Sequence, residues 1–323
     1  MNEKLHRLAA LREALAARGV AGFLVPRGDE HLGEYVPRAG ERLAWLTGFT
    51  GSAGMAVVLP GRAAVFTDGR YTTQLAAETD AALWERRHIT EEPPAEWLRE
   101  HAQGLAIGYD PWLHSEAALQ RFAGVTLVPL SPNPIDALWT DRPAPPATPV
   151  LPHALAQAGV TGAAKREAAA AALRAAGEQA CVLADAHSVA WLLNIRGADL
   201  AHTPLPLAFA VLHDDASVAL FLNAPERVPE ATRAHLGNAV SISPRTALPG
   251  ALRALSGRTV RLDPEATPAW FAATLREAGA KTSAGEDPCR LPRAMKNPVE
   301  QEGARAAQLR DAGAVARFLA WFA

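Results

Sequence analysis

Asp68, Gly69 and Arg70 form a short run whose residue types and placement suggest recognition chemistry. They follow AAVFTD (63–68), which reads as a strand, so Arg70 would stand at a strand end. There a planar guanidinium can hold a carboxylate or a carbonyl. The same residues also suit an ordinary turn with a solvated arginine, and composition does not choose between the two.

Other chemistry is thin. Ten histidines are present, but no HExxH pair occurs, and His101 and His114 are not at ligand spacing. Cys181 and Cys289 are far apart in sequence, which argues against a zinc module. His202 and His213 flank a strand-like segment and read as solvated or core histidines. GSAG (51–54) resembles a nucleophile elbow only loosely, because Ala53 stands where a serine is needed. No GxxxxGK[ST] or GxGxxG loop is present. Gly48, Gly51 and Gly54 fit a tight turn or a close backbone approach, and Trp45 fits packing. No catalytic residue and no metal ligand is assigned, so a new hydrolase built from these residues is the least favoured reading.

The scaffold around Arg70 follows from length and pattern. The 323 residues, 49% hydrophobic and 20% charged, can bury cores for two domains. This excludes a disordered tail or a collagen-like repeat. Thirty-two basic residues nearly cancel 34 acidic ones, giving a net charge of −2 and no pull toward nucleic acid or an anionic membrane. Two cysteines cannot form a disulfide framework, and a reducing compartment is the simplest setting. Charged residues interrupt MNEKLHRLAALREALAARGV before it reaches the roughly 7 apolar residues of a signal peptide. The expected location is the cytoplasm.

Residues 3–18 read as a helix stopped by Gly19, followed by the strand AGFLVP (21–26). MAVVLP (55–60) and AAVFTD (63–68) flank a Gly61-Arg62 turn as a β-hairpin. RYTTQLAAETD reads as a helix. LAIGYD (105–110) and VTLVPL (125–130) are strands around the helix SEAALQRFAG. Proline density then rises in 131–152, which reads as an extended linker.

The order then repeats. KREAAAAALRAAG (165–177) is a helix ending in glycine, and ACVLAD (180–185) is a strand. SVAWLLNIRG (188–197) parallels RLAWLTGFTG (42–51), and FAVLHDDASVALFLN (209–223) parallels the first hairpin. Trp45 matches Trp191, and Gly19 matches Gly177. This is an internal duplication of one α/β unit. GRTVRLDPEATPAWFAATLREAGA (257–280) continues the second copy, which closes at DPCRLPRAMKNP. Asn297, Pro298 and Glu300 then open a helix with a capping box. It runs into the apolar Phe318–Phe322, which either packs back on the second domain or opens a third.

Taken together, PRGDEHLGEYVPRAGERLAWLTGFTGSAGMAVV and VFTDGRYTTQ strongly resemble the first domain of the aminopeptidase P (Xaa-Pro aminopeptidase) family, of the creatinase/prolidase group. PNPIDALWTDRPAPP looks like that family's interdomain junction, and VAWLLNIRGADLAHTPLPLAFAVL resembles its second domain. AMKNPVEQEGARAAQLRDAGAVARFLAWFA resembles the first helix of its catalytic domain. The resemblance covers nearly the whole chain and fits the three-domain subtype. It implies two tandem creatinase-like α/β domains, each a mixed sheet flanked by helices, and the start of a pita-bread catalytic domain. The expected limits are domain I at 1–137, a linker at 138–152, domain II at 153–290, and the catalytic domain from 291.

Such enzymes are metal-dependent hydrolases that remove an N-terminal residue preceding proline. They use two divalent metals, often manganese, held by two aspartates, a histidine and two glutamates. The resemblance places those ligands beyond Ala323, and no HGxGHxxG, EPG or RxEN string occurs in this sequence. It also implies that Arg70 contacts the bound peptide. The facing catalytic domain or a neighbouring subunit, as in a homodimer, would complete that pocket. Asp68 and Tyr71 support the turn. The expected function is thus the substrate-positioning portion of an Xaa-Pro aminopeptidase, folded but inactive alone. The alternative is a non-enzymatic peptide-binding or assembly module that pairs with a separate catalytic subunit.

Overall fold

A computed structural model describes residues 3–323. The chain divides into two compact units: 1–146 with 249–256 and 263–282, and 147–248 with 257–262 and 283–323.

In the first unit, α1 (Glu3–Ala16) buries Leu8, Leu11 and Leu15 at helical spacing. Gly19 stops it in the left-handed conformation, φ 71°. Six strands follow: β1 (Gly22–Pro26), β2 (Met55–Val58), β3 (Ala63–Thr67), β4 (Glu85–His88), β5 (Ala106–Tyr109) and β6 (Thr126–Pro129). They form one mixed sheet in the order β4-β3-β2-β1-β5-β6. β2 pairs antiparallel with β1 and β3, while β3–β4, β1–β5 and β5–β6 are parallel. Alternate residues feed opposite faces. Phe23, Val25, Ala56, Val58 and Val65 join the core under α1 and α2 (Arg42–Thr47). Leu24, Val57, Ala64, Phe66 and Ile107 pack on the other side with Trp97 and Leu98 of α4 (Pro94–His101). A sheet covered on both faces accounts for the nearly unbroken apolar runs of β1 and β3. α3 (Thr72–Glu78) and α5 (Glu116–Gln120) complete the connections.

Neither β4 nor α4 is expected from the sequence. β4 reads Glu-Arg-Arg-His and lies at the sheet edge, where charge replaces apolar patterning. The proline-dense stretch also departs from a wholly extended linker. Asn133 caps and Pro134 opens the short helix α6 (Pro134–Leu138), whose Ile135 is fully buried. Trp139 then stacks on Trp45 at 5.7 Å. Residues 141–150 carry no regular structure.

The second sheet repeats the first, strand for strand. Its members are β8 (Ala180–Leu183), β10 (Ala208–His213), β11 (Val218–Leu222), β12 (Val240–Pro244), β13 (Thr259–Leu262) and β14 (Lys281–Ala284), in the order β12-β11-β10-β8-β13-β14. β10 is antiparallel to β8 and β11, and β11–β12 and β8–β13 are parallel. Two short strands, β7 (Leu151–Pro152) and β9 (Ile195–Arg196), pair separately. The second unit's core gathers Leu173 of α8 (Gly162–Ala175), Val189 and Leu193 of α9 (Ala186–Leu193) and Leu236 of α10 (Glu230–Leu236). α7 (Leu155–Ala158), α11 (Leu248–Arg253), α12 (Ala269–Glu277) and α13 (Arg290–Ala294) are short. By packing, α12 belongs to the first unit, where its Trp270 stacks on Trp112 at 4.0 Å.

The last helix, α14 (Pro298–Phe322), has the expected capping box. Asn297 is anchored by donation of its Nδ2 to the Ala158 carbonyl at 2.8 Å. None of the α14 residues is buried, and Trp321 is 79% exposed. Among the described residues, no helix is long and apolar enough to cross a membrane.

Candidate functional site

Arg70 lies just past the end of β3, in a turn closed by donation of the Tyr71 amide to the Asp68 carbonyl at 3.1 Å. The Asp68 carboxylate accepts from the Arg70 amide at 3.0 Å, which fixes the turn locally. The guanidinium folds back onto the same carboxylate, with Nη2 donating to Oδ2 at 2.8 Å and Nε near both oxygens. These charge-assisted bonds from Arg70 hold the Asp68 carboxyl below the usual carboxylate range and raise Arg70 in turn. The Arg70 side chain is 64% exposed. An ion pair this open to solvent is weak, so the fork can exchange Asp68 for another oxygen ligand.

The glycine-rich turn beside it is built by close approach. Gly48 caps α2 at φ 87°. A Cβ on Gly51 would stand 2.3 Å from the Phe49 ring, and one on Gly54 would meet the same ring at 2.9 Å. Thr67 Oγ1 donates to the Ala53 carbonyl at 2.6 Å, which ties this turn to the end of β3. Thr50 donates twice to Glu78 of α3, from its amide and its hydroxyl, each at 2.8 Å. The Tyr71 hydroxyl meets Ser52 Oγ at 2.6 Å, and the Tyr71 ring lies edge-on to Phe49. The guanidinium carbon of Arg70 sits 5.1 Å from the Tyr71 ring centroid. The structure thus joins Asp68, Arg70 and Tyr71 to the turn at 50–54 in one surface, with Arg70 its most exposed cation.

Three participants are not singled out by the sequence. Ser52 anchors Tyr71. Glu34 contributes to the rise in Arg70 from across the long loop, where its carbonyl accepts from Arg27. His88 lies at the parallel end of β4, 3.7 Å from the place of a Cβ on Gly69. Only the sheet register brings His88 there, so local spacing carries no sign of it.

The remaining sequence candidates do not converge on this surface. His114 is buried, and desolvation pushes its imidazole down to about 4. Burial also lowers His213, whereas His202 is exposed. Cys181 and Cys289 are both buried, and neither is in a disulfide. Among the described residues, no group of three or more His, Cys, Asp or Glu side chains could hold a metal ion.

With this geometry in hand, the comparisons with known proteins are specific. Residues 7–138 and residues 141–300 each match a creatinase/prolidase N-terminal domain. The probable Xaa-Pro aminopeptidase P of Coccidioides posadasii is 32% identical over 98% of the chain and 54% of its own length. That of Neosartorya fischeri is 33% identical over 98% of the chain and 51% of its own length. The chain therefore spans about half the length of the curated relatives it matches. Among solved structures, the X-prolyl aminopeptidase of Caenorhabditis elegans, a cytosolic enzyme with a di-nuclear active site, is similar with a TM-score of 0.89 and 29% identity. That match takes in 99% of this chain and 56% of the C. elegans chain. Two tandem domain matches, one repeated sheet topology and these relatives agree: the chain belongs to the creatinase/prolidase family, in its aminopeptidase P group, and carries two N-terminal-type domains.

Proposed function

We propose that this chain is the N-terminal, substrate-positioning part of a cytoplasmic Xaa-Pro aminopeptidase, which hydrolyses the bond after an N-terminal residue that precedes proline. The observation that carries the reading is the exposed Arg70 fork at a strand end of a domain shared with such enzymes. In this reading Arg70 leaves Asp68 and donates to a carbonyl or carboxylate of a proline-containing peptide. A facing catalytic domain, or a second subunit of a homodimer, completes the pocket. The residues described here do not suit a di-nuclear metal centre, because no three potential ligands come together. Hydrolysis is accordingly assigned to a catalytic domain beyond α14, with manganese as its metal, and no catalytic step is derived from these two domains.

The direct test is release of the first residue from an Xaa-Pro peptide by the pure 323-residue protein with added manganese. No turnover is expected. Steady turnover would overturn the assignment of catalysis to another segment.

A second reading rests on the exposed Phe318, Leu319, Trp321 and Phe322 of α14. It makes the chain a non-enzymatic assembly module that pairs with a separate catalytic subunit through that surface. Size-exclusion chromatography with light scattering separates the two readings. A clean monomer whose tail resists proteolysis counts against pairing.

A further inference from the structure

The second unit holds a cleft of about 280 Å³ where α8 begins and α9 and α10 end. Leu155, Leu193 and Leu236 give it an apolar wall. It shares no lining residue with the Arg70 turn, so nothing in it depends on the peptide reading.

The opposite wall is built from donors. Thr161 caps α8, its Oγ1 accepting from the Ala164 amide at 3.2 Å, which leaves the hydroxyl proton to donate elsewhere. The Gly162 and Ala163 amides, at the first two positions of this 14-residue helix, have no partner among the described residues. One turn on, Arg166 lies on the same face, with Nη1 3.6 Å from the place of a Cβ on Gly162. Arg166 is only 8% exposed. Its Nε donates to the Ala216 carbonyl at 3.2 Å, but neither Nη1 nor Nη2 has a partner among the described residues. Neither atom is sealed off, as Arg42 Nη1 is, so both can be reached from the cleft that Arg166 lines. No Asp or Glu lines that cleft, and burial lowers the guanidinium's pKa with no acid to offset it. Nearby acceptors are already engaged: the Leu193 carbonyl by His235 Nε2 at 3.1 Å, and Asn194 Oδ1 by Lys165 Nζ at 2.8 Å. A buried cation without a counter-charge is costly, so an anion from outside the chain is called for. The free amides and the helix dipole attract it on one side, and the guanidinium fork on the other. A tetrahedral oxyanion has enough oxygens to meet both sets at once, whereas a carboxylate has only two.

We propose that this cleft binds a phosphate group, free or on a small ester, held by the Thr161 hydroxyl, the Gly162 and Ala163 amides and the Arg166 fork. The apolar wall of Leu155, Leu193 and Leu236 has room for the body of an ester.

The test uses the 323-residue protein and inorganic phosphate in low-salt buffer. Isothermal titration calorimetry should show saturable one-to-one binding, with acetate about tenfold weaker at equal ionic strength. Phenyl phosphate separates the two sources: tighter binding than phosphate points to an ester, equal or weaker binding to free phosphate, and either supports the site. Arg166→Gln should weaken phosphate binding about tenfold. Gly162→Pro deletes one amide donor at the first helical position, which suits proline, and Thr161 at ψ 150° tolerates a proline after it. It should weaken binding about fivefold and leave thermal stability unchanged. In the unaltered protein, the amide signals of Gly162 and Ala163 should shift on titration with the calorimetric dissociation constant, which keeps the test decisive if a variant folds poorly. Absence of saturable binding, or of those amide shifts, at millimolar phosphate would overturn the proposal. So would equal binding of phosphate and acetate, or undiminished binding by either folded variant.

Discussion

The two copies of the α/β unit share more than strand order. In the first, Arg7 of α1 lies over Trp45 at 4.6 Å and donates to its carbonyl. In the second, Lys165 of α8 lies over Trp191 at 4.3 Å and donates to its carbonyl at 3.1 Å. The helix that follows ends on a left-handed cap in each, Gly48 at φ 87° and Asn194 at φ 49°. Three residues on, Gly51 and Gly197 each abut a neighbour that a Cβ would strike, the Phe49 ring at 2.3 Å and the Pro206 nitrogen at 2.7 Å. The copies part at the end of the hairpin. The first continues as Asp68-Gly69-Arg70, and the second as Asn223-Ala224-Pro225. Proline supplies no donor where arginine supplies a fork. Features that packing requires recur in both copies, whereas the exposed guanidinium fork stands in one.

The largest expected break in this parallel is a pH effect. A buried aspartate follows the fifth strand of each copy, Asp110 accepting from the Trp112 amide and Asp263 from the Glu265 amide. Four residues later the first copy has His114 and the second has Thr267. His114 has its pKa lowered from 6.5 to about 4 by desolvation. Across that window the unfolded chain takes up a proton that the folded one refuses, so stability rises with pH and falls on acidification. The full effect is at most about 3 kcal/mol. His114→Thr, which copies the second domain, should flatten this part of the slope. Urea midpoints of both proteins at several pH values inside the window check it, and parallel slopes would contradict it.

The cation–indole pair gives a smaller and graded contrast. Lys165 is buried and also donates to Asn194 Oδ1 at 2.8 Å. Lys165→Met leaves Asn194 Oδ1 without its donor and the Trp191 carbonyl with only the long bond from the Asn194 amide, and should cost about 2 kcal/mol. The Arg7 side chain is 23% exposed, so its loss is partly met by water. Arg7→Met should cost about 1 kcal/mol or less. Thermal and urea unfolding measure both; equal costs would show that burial does not grade the pair.

Much of this scaffold is legible in the sequence, because its signals are local. The glycine stops at Gly19 and Gly177, both hairpins and the Asn297–Glu300 capping box depend on residues within a few positions of each other. What escapes depends on partners far along the chain. β4 is recognisable only through its pairing with β3, since Glu85, Arg86 and Arg87 carry no apolar alternation. α6 hides in a proline-rich run because burial of Ile135, and not propensity, secures it. At the candidate site, Arg70 and its turn are visible in the sequence. Ser52, Glu34 and His88 reach it only through tertiary placement.

The most direct test of the account is Arg70→Ala in this chain joined to the C-terminal half of an aminopeptidase P relative. Steady-state kinetics on an Xaa-Pro peptide and urea unfolding would be read on the same preparation. The account predicts peptide affinity weakened about tenfold, in keeping with loss of one charge-assisted hydrogen bond. It predicts a stability change within about 0.5 kcal/mol, because the Arg70–Asp68 pair is exposed. Unchanged affinity, or a collapse of stability with the affinity loss, would contradict the assignment of Arg70 to substrate positioning.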